Sequence, residues 1–233
     1  MNVLSKTTLA AVALLLTAGS AWAYPVEVGS SVKMYSGNTA AQYEGYYQAD
    51  NTGDAAGKFG VFCVELNEYF TSGHSYTVAS ITDAANNGGL GGAVRGADPI
   101  SDATRWLYYH FLLQDIETVT GKVENDFSLQ LAFWFLEDEL NVAGYTNSIN
   151  YYASYSTDTR AQTYVTSAQT AVAQGAFLGD VKVMNLVDAC GAPAQSQLIG
   201  QIPETPVPEP STLLLLGGGI AGLALARRRA SGK

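Results

Sequence analysis

Two apolar segments near the ends of the chain leave only the residues between them to build a folded body. The first runs from Leu9 to Leu16, follows a basic residue and precedes Ala21-Trp22-Ala23. A basic start, a short apolar core and small residues at positions 21 and 23 are typical of a secretory signal peptide. Residues 1–23 are therefore predicted to be a signal peptide cleaved after Ala23, and the body is predicted to be exported.

The second apolar segment predicts a hydrophobic helix in residues 212–233. It follows a linker, residues 203–211, whose prolines prevent a helix, and it ends in Arg227, Arg228 and Arg229. Its fourteen apolar residues, 213–226, rise about 21 Å as a helix, which is less than the roughly 30 Å of a bilayer core. The arginines stay on the cytoplasmic side. These features predict transient anchoring in the inner membrane.

Pro208-Glu209-Pro210, the apolar helix and the arginine cluster follow one another in a fixed order. Over about residues 207–229 this order resembles the PEP-CTERM sorting signal of Gram-negative bacteria. The resemblance implies recognition by an exosortase, cleavage near the Pro-Glu-Pro motif, and delivery to the cell surface or the extracellular matrix. A plain C-terminal membrane anchor is the alternative.

The body, residues 24–202, has the length of one globular domain. Between residues 24 and 206, seven Lys and Arg stand against twenty Asp and Glu, a formal charge of −13. Such an acidic surface repels phosphate, so nucleic acid is excluded as a partner. Tyr, Gly, Asn, Ser and Thr are frequent, as in secreted β-rich domains that meet sugars or other proteins.

Short β-branched and aromatic runs predict strands, and three segments with apolar residues three and four apart predict helices. The strands are expected at 32–35, 59–66, 76–81, 181–186 and 197–202, and the helices at 101–113, 125–136 and 159–173. A Gly- and Asn-rich stretch, residues 84–98, predicts a loop. The order predicts an α+β fold. It is a β-rich body, sandwich or barrel-like, with a central insertion of two to three helices, plus the signal helix and the C-terminal hydrophobic helix.

The sequence contains no motif of a common enzyme class, so the chain is predicted not to be an enzyme. His74 and His110 lack further ligands at recognisable spacing, which predicts no metal site and no cofactor. His110 is interpreted as a hydrogen-bonded, partly buried residue. Residues 137–139, three consecutive acids, point in different directions around a helix, which favours a solvated helix end.

Cys63 and Gln130 lie in apolar surroundings, within 60–66 and 128–134 respectively. Because a buried amide without partners costs about 1 to 3 kcal/mol, Gln130 needs a partner. Cys63 has a simpler expected role, since two cysteines in an exported protein are first expected to pair with each other. A Cys63–Cys190 disulfide would stabilise the fold by about 4 to 5 kcal/mol in the chain-entropy model.

Phe62-Cys63-Val64 and the later Gln130-Leu131-Ala132-Phe133-Trp134 resemble the two motifs of thioester domains in bacterial surface adhesins. That family pairs a strand motif, aromatic-Cys-aliphatic, with a helix motif, Gln-x-Ala-aliphatic-Trp. Residues 103–108, Ala-Thr-Arg-Trp-Leu-Tyr, are similar to the family's preceding helix. The resemblance covers about residues 58–140, and Phe133 takes the place of the more usual branched aliphatic residue.

The thioester-domain resemblance implies that Cys63 and Gln130 form an internal thioester with loss of ammonia. Four aromatic residues would keep water from this bond: Phe62, Trp106, Phe133 and Trp134. An amine of a surface protein or a hydroxyl of an extracellular polysaccharide would then attack Gln130 and join the body covalently to that partner. Two alternatives stay open: the Cys63–Cys190 disulfide, and a passive structural or glycan-binding matrix protein without a reactive bond.

Overall fold

The computed structural model describes residues 24–36, 47–50, 58–116 and 126–201. The predicted signal helix and the C-terminal hydrophobic helix lie outside these residues. The strands are β1 (Ser31–Ser36), β2 (Tyr47–Asp50), β3 (Lys58–Val61), β4 (Ser75–Thr82), β5 (Ala84–Ala85), β6 (Asp98–Pro99), β7 (Asp180–Val187) and β8 (Pro193–Gln201). The helices are α1 (Asp102–Leu113), α2 (Asp126–Leu136), α3 (Thr146–Thr157) and α4 (Thr159–Ala173).

Six of the strands form one antiparallel sheet in the order β3-β2-β1-β4-β7-β8, and β5 pairs with β6 separately. Side chains alternate between the two faces of a strand. In β1, Val32 and Met34 are fully buried while their neighbours are exposed, and Tyr76 and Val78 repeat this pattern in β4. β8 is buried along nearly its whole length. The hydrophobic core therefore lies on one face of β1 and β4, whereas β8 is covered on both faces.

The sheet curls until its two edge strands meet. Directly after β3, the Leu198 N–H donates to the Phe62 carbonyl at 2.8 Å, and the Val64 N–H donates to the Ser196 carbonyl at 3.1 Å. Cys63 lies opposite Gln197 between these two bonds. The curl brings residues 62–66 and β8 together, although they are far apart in sequence.

Side-chain hydrogen bonds cap the N-termini of two helices. Ser101 Oγ accepts the Thr104 N–H at 3.1 Å and caps α1, and Asp158 Oδ1 accepts the N–H groups of Arg160 and Ala161 at 3.0 Å and caps α4. α2 buries nearly its whole surface, including Leu129 and Phe133. This agrees with its uniformly apolar sequence.

The α+β prediction is confirmed, and the structure refines it. Instead of a sandwich, one curled sheet forms the β part, and the described residues contain four helices where two to three were expected. α3 was not predicted, and the segment 84–98 contains the short strands β5 and β6 at its ends. The strand expected at 59–66 ends at Val61, after which the chain makes only the isolated pairing of Cys63.

Candidate functional site

Cys63 lies where the two edges of the curled sheet meet, and it is fully buried. Its neighbours Phe62 and Val64 make the main-chain hydrogen bonds to β8. Opposed residues in an antiparallel pair alternate between hydrogen-bonded and non-hydrogen-bonded pairs, and Cys63 and Gln197 form a pair of the second kind. The N–H and C=O of Cys63 therefore point away from β8 and need partners on the other side.

The side-chain carboxamide of Gln130 provides both partners. The Cys63 N–H donates to Gln130 Oε1 at 2.9 Å, and Gln130 Nε2 donates to the Cys63 carbonyl at 2.9 Å. Gln130 lies near the middle of α2 and is fully buried. The Gln130 amide thus makes the two main-chain hydrogen bonds that a neighbouring strand would otherwise make with Cys63. The structure brings Cys63 and Gln130, 67 residues apart, into direct contact.

Gln197 faces the thiol of Cys63. Its Nε2 lies 3.6 Å from Cys63 Sγ and 3.4 Å from the Gln195 carbonyl, and its side chain is fully buried. The Gln197 amide thus lies beside the sulfur as a weak hydrogen-bond donor. Gln197 was not predicted from the sequence. Glutamines at the alternate positions 195 and 197, directly before the apolar Leu198 and Ile199, are the signal that could have identified it.

The aromatic residues predicted to exclude water are buried, but they do not all gather at one place. Phe62 and Phe133 pack together with ring centroids 4.9 Å apart, next to Cys63 and Gln130 in the fold. Trp134 packs on a tyrosine of α3, and the Trp106 ring lies 4.1 Å from that of His110. Phe62 precedes Cys63 in the chain and Phe133 lies one helical turn after Gln130, so this ring pair joins the same two segments as the Cys63–Gln130 contact.

The second cysteine, Cys190, is exposed in the turn between β7 and β8, where its N–H donates to Asp188 Oδ1 at 2.8 Å. Both cysteines are thiols in the structure, so the Cys63–Cys190 disulfide is not formed there.

Of the two histidines, His74 is exposed. His110 is half-buried, with Nδ1 2.8 Å from Asp115 Oδ1, which agrees with its interpretation as a hydrogen-bonded, partly buried residue.

The solvated helix end predicted for the acids after α2 is wrong for two of the three residues. Asp138 is exposed, but Glu137 and Glu139 are buried. The helix ends at Leu136 and Asp138 adopts a left-handed φ of 59°, so helical periodicity no longer sets the directions of these side chains. Glu137 accepts the Ser101 N–H at 3.1 Å. Burial raises the pKa of both buried carboxyls.

The predicted sorting and cleavage residues lie outside the described residues. They are Ala21, Ala23, Pro208, Glu209, Pro210, Arg227, Arg228 and Arg229. A family model of the PEP-CTERM protein-sorting motif matches residues 206–229, which confirms the predicted sorting signal and its recognition by an exosortase. The motif implies a secreted chain that is held transiently in the membrane before processing.

No helix among the described residues is both long and apolar enough to cross a bilayer. No curated protein and no solved structure matches the chain.

Proposed function

We propose that the exported body forms an internal thioester between Cys63 Sγ and Gln130 Cδ, and that this bond attaches it covalently to an extracellular amine. One observation supports the proposal above the others. The side-chain carboxamide of Gln130 hydrogen-bonds both to the N–H and to the carbonyl of Cys63, and both residues are fully buried. A sulfur nucleophile and an acyl carbon thus share one dry location.

Formation of the thioester is a single acyl transfer. Cys63 Sγ attacks Gln130 Cδ, the S–C bond forms and the C–N bond breaks, and ammonia leaves with the thiol proton. The Cys63 N–H, 2.9 Å from Gln130 Oε1, stabilises the negative charge that develops on this oxygen during the attack.

An amine opens the thioester by forming a new C–N bond at Gln130. The amine nitrogen bonds to Gln130 Cδ, the C–S bond breaks, and the sulfur takes the proton that the nitrogen gives up. Loss of ammonia removes the donor that the buried Cys63 carbonyl uses in the structure, and the new amide N–H restores a donor at that place. The geometry therefore favours the amide product over the thioester. Phe62 and Phe133 limit competing hydrolysis by water.

The sorting signal sets where this chemistry would act. After an exosortase processes the chain, the body would lie at the surface or in the extracellular matrix of a Gram-negative cell. Lysine amines of surface proteins and hydroxyl groups of matrix polysaccharides are the nucleophiles available there. The product would be a single-use covalent link, which suits adhesion or matrix assembly and involves no catalytic turnover.

A second candidate function is favoured by the same hydrogen bonds. Both polar atoms of the Gln130 carboxamide are paired with the main chain of Cys63, so the amide has a complete structural role without any covalent bond. In this alternative the body is a passive structural or glycan-binding protein of the matrix. It has the same sorting signal and partners but no reactive bond.

Intact mass spectrometry of the exported chain is expected to distinguish these two functions. If the thioester forms, the chain is lighter than its sequence mass by one ammonia, and incubation with methylamine adds one methylamine at Gln130. Methylamine is the chosen probe because both residues are fully buried and a small amine reaches them most readily. Peptide mapping locates the adduct.

Two variants provide the controls for the mass measurement. Cys63→Ala removes the nucleophile and is expected to show the full sequence mass and no adduct. Cys190→Ala is expected to leave both signals unchanged, because Cys190 is exposed and Cys63 is the cysteine that contacts Gln130. A wild-type chain of full sequence mass that ignores methylamine would reject the thioester and leave the passive function.

The sorting signal predicts its own result in a Gram-negative host that encodes an exosortase. Alanine at Pro208, Glu209 and Pro210 is expected to abolish processing, so that the uncleaved chain accumulates in the membrane fraction. Pro203→Ala, in the linker but outside the matched motif, is the control and should be processed like the wild type. Cell fractionation and immunoblotting measure both forms. Normal release of the triple variant would contradict the assignment of the motif.

A further inference from the structure

Three buried carboxylates meet beneath the glycine-rich segment that precedes β6. Glu65, Asp98 and Glu139 each have an oxygen within 4.8 Å of the oxygens of the other two. Glu65 and Glu139 are fully buried, and Asp98 is 2% exposed. Like charges at this separation repel strongly in a dry site, so the cluster requires an explanation.

The three residues come from separate parts of the fold. Glu65 follows β3, Asp98 begins β6, and Glu139 follows α2. Local sequence therefore does not force them together, because tertiary structure alone assembles the cluster. A set of ionised acids assembled in this way across three segments would be strongly destabilising without bound protons or a cation.

The three carboxylates differ in how many hydrogen bonds they accept from the main chain. Glu139 accepts three main-chain N–H groups, from Leu66 at 2.7 Å, Leu90 at 2.6 Å and Gly91 at 2.9 Å. In contrast, the oxygens of Glu65 and Oδ2 of Asp98 accept no N–H group from the described residues. The Glu65 carboxyl lies within hydrogen-bonding reach of Glu139, a contact that requires a proton between the two. Glu139 is thus held in position, while fully buried lone pairs of the other two carboxylates remain available for a ligand.

The electrostatic surroundings require a cation or protons. The charged neighbours of Glu65 and Asp98 are carboxylates: the other cluster members, with Glu68 and Glu137 near Glu65 and Glu137 and Asp138 near Asp98. Burial, followed by these neighbours, raises the pKa of Glu65 to about 10 and that of Asp98 to about 7. A divalent cation would supply the missing positive charge.

Two glycines let the main chain lie directly on the carboxylates. A Cβ atom added at Gly89 would collide with Glu65 Oε2 and Glu139 Oε1, and one at Gly92 would lie 2.7 Å from Asp98 Oδ1. Any other residue at position 89 would displace two of the three acids. The glycine-rich sequence at 88–92 is therefore a close-fitting cover of the cluster.

We propose that Glu65, Asp98 and Glu139 bind one calcium ion. Carboxylate oxygens are the ligands that hard cations prefer, and calcium takes them at about 2.3 to 2.6 Å. Three carboxylate oxygens within 4.8 Å of one another can all reach one such ion. Magnesium usually keeps several of its waters, and a fully buried site under a close-fitting glycine-rich segment leaves little room for them. The sequence predicted no metal site because these ligands have no local spacing.

The calcium ion would connect the two segments that carry Cys63 and Gln130. Glu65 lies two residues after Cys63, and Glu139 follows the helix that contains Gln130. Binding would therefore stabilise the junction between the sheet edge and the end of α2. This inference does not rest on the thioester, since a passive body would contain the same site.

Thermal unfolding of the full-length chain in detergent tests the site after dialysis against EDTA. Adding calcium to about 100 times its Kd is expected to raise Tm by about 5 to 10 °C. Isothermal titration calorimetry should give one calcium ion per chain. Glu65→Gln and Asp98→Asn should each abolish the Tm shift and the titration heat while remaining folded in EDTA, because each amide keeps the size of the side chain it replaces and adds no charge to the cluster.

Glu27→Gln is the matched control, since Glu27 is exposed and its recorded hydrogen bonds involve only its main chain. This variant should keep the full calcium response. Equal Tm values of the wild type in calcium and in EDTA would overturn the proposal, as would an undiminished shift in Glu65→Gln. A response to magnesium with none to calcium would overturn the choice of ion.

Discussion

A Gln130→Leu chain is expected to lose about 2 to 6 kcal/mol of its free energy of unfolding. The Cys63 N–H and C=O face away from β8, and the Gln130 carboxamide is the partner of both at 2.9 Å. Leucine is similar in size but neither donates nor accepts a hydrogen bond. Two fully buried main-chain groups are then left without this partner, at about 1 to 3 kcal/mol each. Urea unfolding monitored by circular dichroism measures the difference.

Two control variants separate this effect from other consequences of the substitution. Gln169→Leu makes the same change at an exposed position of α4 and is expected to alter the free energy of unfolding by less than about 0.5 kcal/mol. Cys63→Ala keeps the carboxamide and both of its hydrogen bonds but removes the sulfur, and with it any thioester cross-link. Its cost should be smaller than that of Gln130→Leu. Equal stability of Gln130→Leu and Gln169→Leu would contradict the structural role of the Gln130 amide.

The contact between Cys63 and Gln130 was expected from motifs, but its geometry depends on non-local structure. Sequence patterns predict the apolar strand around Cys63 and the buried helix around Gln130. They do not reveal that the sheet curls until the chain after β3 pairs with β8. This pairing directs the Cys63 main chain toward α2, and it also places Gln197 beside the thiol. Pairing between distant strands leaves little trace in local sequence.

Helix α3 shows why part of the helical layer could not be predicted. Its sequence is rich in Ser, Thr, Asn and Tyr, which are weak helix formers, and it lacks a continuous apolar stripe. The helix is instead supported by aromatic packing on α2: Tyr151 lies 4.9 Å from Trp134, and Tyr155 stacks on Phe135 at 4.2 Å. Tertiary contacts thus override a weak local preference.

The acidic cluster escaped sequence reasoning for a related reason. Glu139 was interpreted with helical periodicity, but α2 ends at Leu136 and the chain turns at Asp138. Glu65 continues an apolar strand pattern, and Asp98 precedes a proline in a segment predicted to be a loop. Each residue has an ordinary local explanation. Only the fold brings oxygens of the three residues within 4.8 Å of one another.

Phe133→Ala is expected to lower the free energy of unfolding by about 3 to 5 kcal/mol, the typical cost of removing a buried phenylalanine ring. Phe133 is fully buried on α2, and its ring centroid lies 4.9 Å from that of Phe62 and 6.2 Å from that of Tyr108. These rings connect α2, α1 and the end of β3. Alanine therefore leaves a cavity between three elements, and close-packed neighbours can fill it only in part.

Phe177→Ala is the matched control, because Phe177 is 63% exposed and its ring contact is with Tyr109 alone in the described residues. It should cost less than about 1 kcal/mol. Phe133→Leu, which restores most of the lost volume, should recover more than half of the Phe133→Ala deficit. Chemical denaturation of all three variants at one pH provides the comparison. If Phe133→Ala were as stable as Phe177→Ala, the packing of Phe62 against Phe133 on α2 would be contradicted. The water-excluding surroundings that a lasting thioester needs would then be contradicted as well.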